Sequence, residues 1–350
     1  MATTRPVGKK PVGMKDVARA AGVSVGTVSN VLNRPEQVSA DRRARVEAAI
    51  AELGYVRNDA APQLKMGRSR TVGAVVLDLA NPFYADVVGG MEAAAEASAL
   101  AVIAGSSANR LERERLYLSL FEEQRVRGIL LASTGGDRDL PAAIRRRGTP
   151  VVLVEDGIAD GRDLAGDPEM PSVSVDDVAG GRMAVEHLVG AGRRRIAVVA
   201  ARRDIRQVAE REAGARAAAE EAGARFEVLE ADALTVLAGR EVGERIVSMP
   251  RAERPDAVFC VNDLLAVGVL QACAFRHEVA VPEEIAIVGY DDIEFARSAI
   301  VPLTSVSQPA DLMGRTALAL LEEEIAQGAE AQHRRIVFQP ELVVRESSGA

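Results

Sequence analysis

Three short stretches near the N-terminus place apolar side chains at the three- and four-residue spacing of a helix face. This spacing predicts helices over about 14–21, from Ser24 through Leu32, and over about 40–53, where Ser39 can cap the start and Gly54 fits the end. The predicted inward positions are Val17, Ala18 and Ala21; Val25, Val28, Val31 and Leu32; and Val46, Ala49, Ile50 and Leu53.

The join between the first two helices has the chemistry of a tight turn. Gly22 can take the left-handed backbone that ends a helix, and Ser24 can cap the next one at a new angle. This predicts a helix-turn-helix whose second helix enters a DNA major groove, although an alanine-rich hairpin without a ligand would have the same shape. The predicted DNA-contacting residues around the second helix are Ser24, Val25, Gly26, Thr27, Ser29, Asn30, Asn33 and Arg34.

From Thr71 onward the pattern changes to short Val-, Ile-, Leu- and Ala-rich runs, most of them separated by amphipathic segments. Eight such runs are visible, including TVGAVVLDL, GILLAS and EIAIVGYDD. Nearly continuous apolar strands between helices are typical of parallel sheets covered on both faces. The pattern leaves one large sheet, a barrel and two lobes open.

Charge separates the N-terminal segment from the rest of the chain. The 350 residues carry a net charge of −8, but residues 1–70 contain 13 Lys and Arg against 6 Asp and Glu. The remaining residues therefore carry −15, which favours a polyanionic partner for the basic segment alone. A charge-mixed, solvated surface is the alternative explanation.

Length and composition narrow the class of protein further. The length predicts two or three units, and no apolar run approaches a membrane span or the core of a secretory signal. Cys260 and Cys273 lack CxxC spacing and fit two buried small residues in a reducing cytoplasm. These features predict a cytoplasmic protein.

The motifs then become specific in order and spacing. KDVARAAGVSVGTVSNVLN, VSADRRARVEAAIAELGYVRN, GAVVLDLANPFYADVVGGME, FCVNDLLAVGVL and AIVGYDDIEFARSAIVPLTSVSQP closely resemble the lactose-repressor (LacI) family of transcription regulators. The resemblance covers nearly the whole chain after residue 13. It implies a small all-α helix-turn-helix headpiece and an α/β, two-lobed, periplasmic-binding-protein-like core with parallel sheets.

The resemblance also implies how the domains divide. We expect a flexible arm at 1–13, the headpiece at 14–57, a hinge helix and linker at 58–70 and an effector-binding core at 71–346. The core should be discontinuous, with lobe 1 at 71–191 and 303–328 and lobe 2 at 192–302 and 329–346. Such regulators act as homodimers on near-palindromic operators, and the absence of a terminal heptad repeat favours a dimer here.

The hinge matches the family with one departure. Arg57 is expected to contact DNA, and Asn58, Ala61 and Leu64 match a family hinge in which a leucine wedges into the minor groove. Pro62 stands where a helix-compatible polar residue is usual, so it removes an early amide hydrogen bond and places the stability of the hinge in question. Gly13 replaces the usual Thr or Ser cap of the first helix without threatening the fold.

Polar side chains follow several predicted strands, at the ends where ligands gather in parallel sheets. Arg211, Asn262 and Asp291 match family effector positions, whereas Asp263 and Asp292 are assigned to capping or turns. Leu234 occupies a position where sugar-responsive relatives often carry an aromatic ring, and Phe83 and Phe295 can compensate. A sugar is expected, with a nucleoside or another polar metabolite still open. The predicted effector-binding residues are Phe83, Ser106, Ser107, Asp176, Arg211, Asn262, Asp291 and Phe295.

Enzyme motifs are weak by comparison. GAGRRR at 190–195 follows a helix pattern and lacks a third glycine, and neither GxxxxGK[ST] nor GxSxG occurs. His187, His277 and His333 have no metal-ligand spacing. The sequence therefore predicts a DNA-binding repressor without catalytic activity, cofactor or metal. A ligand-binding protein without DNA activity and, further off, a nucleotide-dependent α/β enzyme remain the rivals.

Overall fold

In a computed structural model of the protein, residues 12–55, 69–137, 139–155, 170–276, 279–328 and 333–349 are described. The chain divides into two compact units, Met1–Arg68 and Ser69–Ala350.

The N-terminal unit contains the three predicted helices, α1 (Met14–Ala21), α2 (Val25–Asn33) and α3 (Ala40–Leu53). Gly22 ends α1 with φ of 64°, and the Ser24 side chain caps α2 by accepting from the Thr27 amide at 3.1 Å. Ser39 precedes α3 as predicted, but its side chain makes no capping hydrogen bond. The small buried core of this unit comprises Val17, Ala18, Ala21, Val28, Val31, Val46 and Ala49.

The second unit contains two six-stranded sheets among its described residues. The sheet of lobe 1 has the order β11-β5-β4-β3-β1-β2 and is parallel throughout. Its strands are β1 (Thr71–Val76), β2 (Ala101–Ser106), β3 (Ile129–Leu131), β4 (Val151–Val154), β5 (Ser172–Val175) and β11 (Arg335–Phe338). Its helices are α4 (Pro82–Ala97), α5 (Leu111–Glu123), α6 (Asp139–Arg146) and α12 (Ala310–Gln327).

The sheet of lobe 2 has the order β12-β10-β9-β8-β6-β7, parallel except for the antiparallel β12. Its strands are β6 (Arg195–Ala200), β7 (Arg225–Glu230), β8 (Ala257–Cys260), β9 (Ala286–Asp291), β10 (Thr304–Ser307) and β12 (Glu341–Val343). Its helices are α7 (Asp177–Gly190), α8 (Arg206–Glu221), α9 (Val236–Ser248), α10 (Asp263–Arg276) and the short α11 (Glu294–Ser298).

The core is discontinuous, as predicted, but the predicted lobe boundaries are wrong at three places. Helix α7 packs on α8 and the second sheet, β10 pairs with β9, and β11 pairs with β5. The chain therefore crosses between lobes after β5, after β10 and after β11. Strand pairing decides these assignments, and hydrophobic periodicity carries no information about which strands pair.

A close helix contact in lobe 2 lies near the cleft. Gly181 of α7 and Gly214 of α8 lie against each other's helix backbone, where a Cβ atom on either glycine would overlap main-chain atoms. Small residues let the two helix axes approach closely, so α7 and α8 hold the side chains at their N-terminal ends in fixed positions. This contact fixes Arg211 next to Asp177.

Candidate functional site

The carboxyl ends of the central strands of both sheets face a small cavity of about 40 Å³ in the second unit. Parallel sheets commonly bind ligands at this edge. The cavity is lined by Leu77, Asp78, Asn81, Phe83, Tyr84, Asn109, Glu155, Ile205, Gln207, Val208, Arg211, Leu234, Val261, Asn262 and Asp291.

Arg211 is the buried cation of the site, with 5% of its surface exposed. Its Nε donates to Asp177 Oδ1 at 2.7 Å, and its Nη1 donates to the Val261 carbonyl at 2.9 Å and lies 3.4 Å from Asp291 Oδ1. The guanidinium carbon lies 3.7 Å from the centre of the Tyr290 ring. A buried guanidinium is stable only when its donors are satisfied in this way.

Asp291 connects the two lobes. Its Oδ1 accepts from Gln308 Nε2 at 2.8 Å, and its Oδ2 accepts from Asn81 Nδ2 of lobe 1 at 3.0 Å. Asn81 is held by a second bond, because its Oδ1 accepts from the Phe83 amide at the start of α4. Burial raises the pKa of Asp291, while Arg211 and the two amides oppose that shift.

The backbone at Asp291 has φ of 103°, and Asp292 follows with φ of 52°, both in a region that L-residues rarely adopt. Asp263 anchors this segment, because its carboxylate accepts from the Ile293 amide at 2.9 Å and from Ser305 Oγ at 2.7 Å. Ser305 Oγ accepts in turn from the Asp292 amide at 3.0 Å. Asp263 thus connects segments that are distant in sequence, a structural role that differs from the cap or turn expected of it.

Glu155 lies just after β4 on the lobe 1 side, with only 4% of its surface exposed. Its carbonyl oxygen accepts from Gln207 Nε2 at 3.0 Å and from Arg206 Nη2 at 3.2 Å, which are both on α8 of lobe 2. Its carboxyl lies near the Tyr84 hydroxyl. Burial raises the pKa of Glu155 to about 7, with Arg211 opposing the shift.

Four of the predicted effector residues come together at this cavity: Phe83, Arg211, Asn262 and Asp291. Asn262 is buried, and its Oδ1 accepts from the Leu265 amide while its Nδ2 donates to the Leu234 carbonyl at 3.4 Å. Phe83 packs edge-on against Tyr84, with ring centres 5.2 Å apart. The site thus combines one guanidinium, carboxylates, amides and two rings.

The structure does not bring the other four predicted residues to the cavity. Ser106 Oγ accepts from the Leu79 and Ala108 amides, Ser107 Oγ donates to the Leu77 carbonyl, and Asp176 caps α7 by accepting from the Ala179 amide. Asp176 is thus a helix cap, Ser106 forms a turn, and Ser107 bonds to the backbone that follows β1. Phe295 is 55% exposed and lines a separate groove on lobe 2, so it does not supply a ring to the cleft.

Several cavity residues were absent from the prediction. Asn81 and Tyr84 lie in the NPFY segment that had been noted after β1, and Glu155 follows a recognisable apolar strand, so the strand-end rule could have found all three. Gln207 and Asn109 have no such signal, because the first lies in a helix and the second in a loop.

The headpiece presents the predicted DNA-contacting side chains on its surface. Val25 of α2 is 39% exposed, whereas Val28 and Val31 of the same helix are buried. Asn33 Nδ2 donates to the Ser29 carbonyl at 2.8 Å. The exposed members of the predicted set are Ser24, Val25, Gly26, Asn30, Asn33 and Arg34, and the partly buried members are Thr27 and Ser29.

The predicted hinge residues lie outside the part of the chain that the structure describes. Arg57, Asn58, Ala61, Pro62 and Leu64 lie outside the described residues. Within those residues, no helix is long and apolar enough to cross a membrane. The same part of the chain contains no cluster of three or more His, Cys, Asp or Glu side chains placed to hold a metal.

Comparison with known proteins agrees with this geometry. Residues 13–58 match the model of the bacterial regulatory proteins of the lacI family, and residues 185–348 match a periplasmic binding protein-like domain. The chain is 38% identical to the HTH-type transcriptional regulator CelR of Thermobifida fusca, covering 95% of this chain and 96% of that protein.

Solved structures show the same relationship. A CelR–cellobiose complex superposes with a TM-score of 0.69 at 33% identity, covering 96% of this chain and 99% of that one. A lac repressor dimer bound to operator and the anti-inducer ONPF superposes with a TM-score of 0.79 at 28% identity, covering 97% of this chain and 100% of that one.

A helix-turn-helix headpiece in one chain with a two-lobed core of the periplasmic-binding type defines a DNA-binding transcription regulator. The sequence identity of 38% to CelR extends over nearly the full length of both proteins, and it places the chain within one family of such regulators. The protein belongs to the LacI family of bacterial regulatory proteins.

Proposed function

We propose that the protein is a repressor that binds a near-palindromic operator as a homodimer. An effector bound between the lobes either lowers or raises the affinity for that operator. The carrying observation is the Asn81–Asp291 hydrogen bond, which joins lobe 1 to lobe 2 at 3.0 Å inside the cleft. A ligand can favour one lobe angle over another only by contacting both lobes differently, and this pair lies where such contacts form.

The DNA-binding part rests on the headpiece surface. Asn30 and Arg34 are exposed while the small core of the unit is complete without them. Asparagine can read a base edge, and arginine can neutralise a phosphate. We therefore assign sequence choice to Asn30 and general affinity to Arg34. Arg57 and the hinge residues Asn58, Ala61 and Leu64 retain their predicted DNA-binding role, with Leu64 as the minor-groove wedge.

The effector-binding part rests on the chemistry of the cleft. Ligand pockets commonly have volumes of about 300–1,000 Å³, so the 40 Å³ cavity admits a sugar only after the lobes separate. Opening must break the Asn81–Asp291 bond and the bonds from Arg206 and Gln207 to the Glu155 carbonyl. A hydroxyl-rich ligand, with a sugar as first choice and a nucleoside as second, can replace these donors.

The proposal also includes the absence of catalysis and a cytoplasmic location. Cys260 and Cys273 are both buried among apolar side chains, so neither thiol is presented to a substrate. Burial raises the pKa of both thiols, which makes them poor nucleophiles.

The test is binding of the full-length protein to labelled duplex from its own promoter and to random duplex of equal length, both at physiological salt. We expect at least a hundredfold preference for the promoter, and a change in that affinity when a screened metabolite is added. Equal binding to both duplexes would contradict the DNA-binding role. Metabolite binding without any effect on promoter affinity would favour a ligand-binding protein that does not regulate DNA.

A further inference from the structure

Lysine and arginine are distributed differently along the chain. Of the 43 Lys and Arg residues, only four are lysines, and these are Lys9, Lys10, Lys15 and Lys65. All four lie in the basic first 70 residues, whereas every residue of this pair after Arg70 is an arginine. Residues 71–350 therefore carry no side-chain amine.

The distribution matters because the two cations differ in their chemistry. The amine of lysine is a target of acylation, whereas the guanidinium of arginine stays protonated and charged. Acylation removes the positive charge of a lysine. Chemistry directed at side-chain amines can therefore change the charge of the N-terminal segment while leaving the charge of the core unchanged.

Lys15 is the one lysine within the described residues, and it is exposed in the first turn of α1. Among those residues, no carboxylate forms an ion pair with it. The neighbouring acid, Asp16, accepts from the Gly13 amide at 3.0 Å and lies 3.6 Å from Arg19. Three arginines of the same unit, by contrast, each lie within 3.6 Å of a carboxylate. The Lys15 amine is thus accessible, and its charge is not neutralised by a carboxylate of this unit.

The charge of Lys15 does not stabilise the helix that carries it. A cation in the first turn opposes the helix dipole, whose positive end lies at the N-terminus. Gly13, the N-cap residue, supplies no side-chain acceptor to offset this effect. Neutralising Lys15 should therefore leave α1 folded, and the charge is available to a DNA phosphate.

We propose that Lys15 is an acylation site, and that acylation there lowers the affinity for DNA independently of the ligand cleft. This proposal rests on the DNA-binding part of the proposed function and adds a second input to it. The unprotonated amine attacks the acyl carbon of an acyl phosphate or an acyl thioester. A C–N bond forms and the C–O or C–S bond breaks, so that phosphate or thiolate leaves with the bonding electron pair and the nitrogen gives up a proton to water. The product is a neutral amide that cannot neutralise a phosphate.

The experiment compares two full-length proteins that differ only at position 15. The first carries Lys9→Arg, Lys10→Arg and Lys65→Arg, so that Lys15 is its only lysine, and the second carries Lys15→Arg as well. Each is treated with acetyl phosphate or with acetyl-CoA, and mass spectrometry identifies the modified residues. Fluorescence anisotropy then measures the affinity for promoter and random duplex at several salt concentrations. Lys15→Gln imitates the neutral amide, and Arg240→Gln removes an exposed charge of lobe 2 as the control.

Acetylation of Lys15 should weaken binding of both duplexes about fivefold at physiological salt and reduce the salt slope by about one, because one phosphate contact is lost. Lys15→Gln should show the same loss. The treated protein without lysine and the untreated Arg240→Gln should bind as their parents do. Thermal melting of the core should be unchanged by treatment, since the core has no lysine. The donor that modifies Lys15 identifies the source of the acyl group.

Several results would overturn the proposal. These are a Lys15 amine left unmodified by both donors, unchanged DNA affinity after its acetylation, an equal loss in the treated protein without lysine or in Arg240→Gln, or a shift in the melting of the core. If Lys15→Gln does not fold, acetylation of the folded Lys15 protein decides alone. The preference of the untreated protein for its own promoter tests the proposed function separately.

Discussion

The Asn81 amide nitrogen donates to the Asp291 carboxylate at 3.0 Å, and the two residues belong to different lobes. Neither side chain can turn away at no cost. Asn81 Oδ1 is bound by the Phe83 amide, and Asp291 Oδ1 is bound by Gln308 and lies beside Arg211. Both the donor and the acceptor of this hydrogen bond are held in place. The bond therefore depends directly on the relative position of the two lobes.

Asp291→Asn should impair the response to effector while leaving operator binding intact. An amide at this position cannot accept from Asn81, Gln308 and Arg211 together, so one donor would face the new NH₂ group. We expect a loss of about 1–3 kcal/mol in the free energy of unfolding and an effector midpoint raised at least tenfold. Operator binding titrated against effector measures the midpoint, with the exposed Asp86→Asn as control. An unchanged midpoint would show that Asp291 does not contact the effector.

Arg211→Ala should destabilise the core rather than only weaken the response. Removing the guanidinium leaves Asp177, 3% exposed, and Asp291, 6% exposed, without their cation. Breaking a buried pair in this way costs about 3–5 kcal/mol. Urea denaturation of the parent, of Arg211→Ala and of Arg216→Ala on the exposed side of α8 measures the difference. Equal stability of all three proteins would mean that the buried pair does not hold lobe 2 together.

The stability of the core should fall as pH rises through the titration of Glu155. The folded-state pKa of about 7 lies above the ordinary value of 4.5, so the folded protein binds the proton more tightly than the unfolded chain does. Stability from this group is complete below pH 4.5, declines between pH 4.5 and 7, and is lost above 7. The loss corresponds to about 3 kcal/mol. The neighbours that set it are Tyr84, Arg211, Asp177 and Asp291.

Thermal melting of the parent and of Glu155→Gln from pH 5 to 8.5 measures this effect. The difference in stability between the two proteins should change by about 3 kcal/mol over that range, in favour of the variant at high pH. Glu92→Gln, which is exposed, should run parallel to the parent. Parallel curves for the parent and Glu155→Gln would place the titration of Glu155 outside this range.

Asn30→Ala and Arg34→Ala should affect DNA binding in different ways. Loss of the Asn30 amide should reduce the free-energy difference between the correct and incorrect base pair at one position of each half-site by about 1–3 kcal/mol. Loss of the guanidinium should weaken all duplexes equally and reduce the salt slope by about one. Fluorescence anisotropy with operator and random duplex at several salt concentrations separates the two, with Arg240→Ala on lobe 2 as control. Identical changes in both variants would contradict this division of roles.

Phe295 marks a different surface from the one expected. It lies with Phe275 and Ile300, which are 64% and 69% exposed, along an apolar groove of about 370 Å³ on lobe 2.

The elements that sequence predicted best are those dominated by burial. Eight apolar runs correspond to strands β1 to β6, β8 and β9. All of them except the edge strand β2 lie inside their sheets, where a parallel strand is apolar on both faces. The unpredicted β7, β11 and β12 are edge strands with polar or alternating residues such as RFEVLE. The unpredicted β10 is mostly buried, but its sequence TSVS is rich in Thr and Ser.

Only part of the cleft could be predicted from strand ends and family motifs. Asn262 and Asp291 matched both strand ends and family motifs, Arg211 matched a family motif alone, and all three line the cavity. Ser106, Ser107 and Asp176 satisfied the same strand-end rule, yet they bond to neighbouring backbone, because short polar side chains after a strand serve turns and caps equally well. Only the three-dimensional path of the chain distinguishes the two uses.

The three crossings between lobes have a mechanical consequence. They leave from β5, β10 and β11, and these strands lie at adjoining edges of their sheets, with β5 beside β11 and β10 beside β12. Two of these connections run from lobe 1 to lobe 2 and one runs back, so the lobes are joined by three separate segments of chain. A protease that cuts one crossing leaves the lobes tied by the other two, so neither lobe can be released as a fragment by a single cleavage.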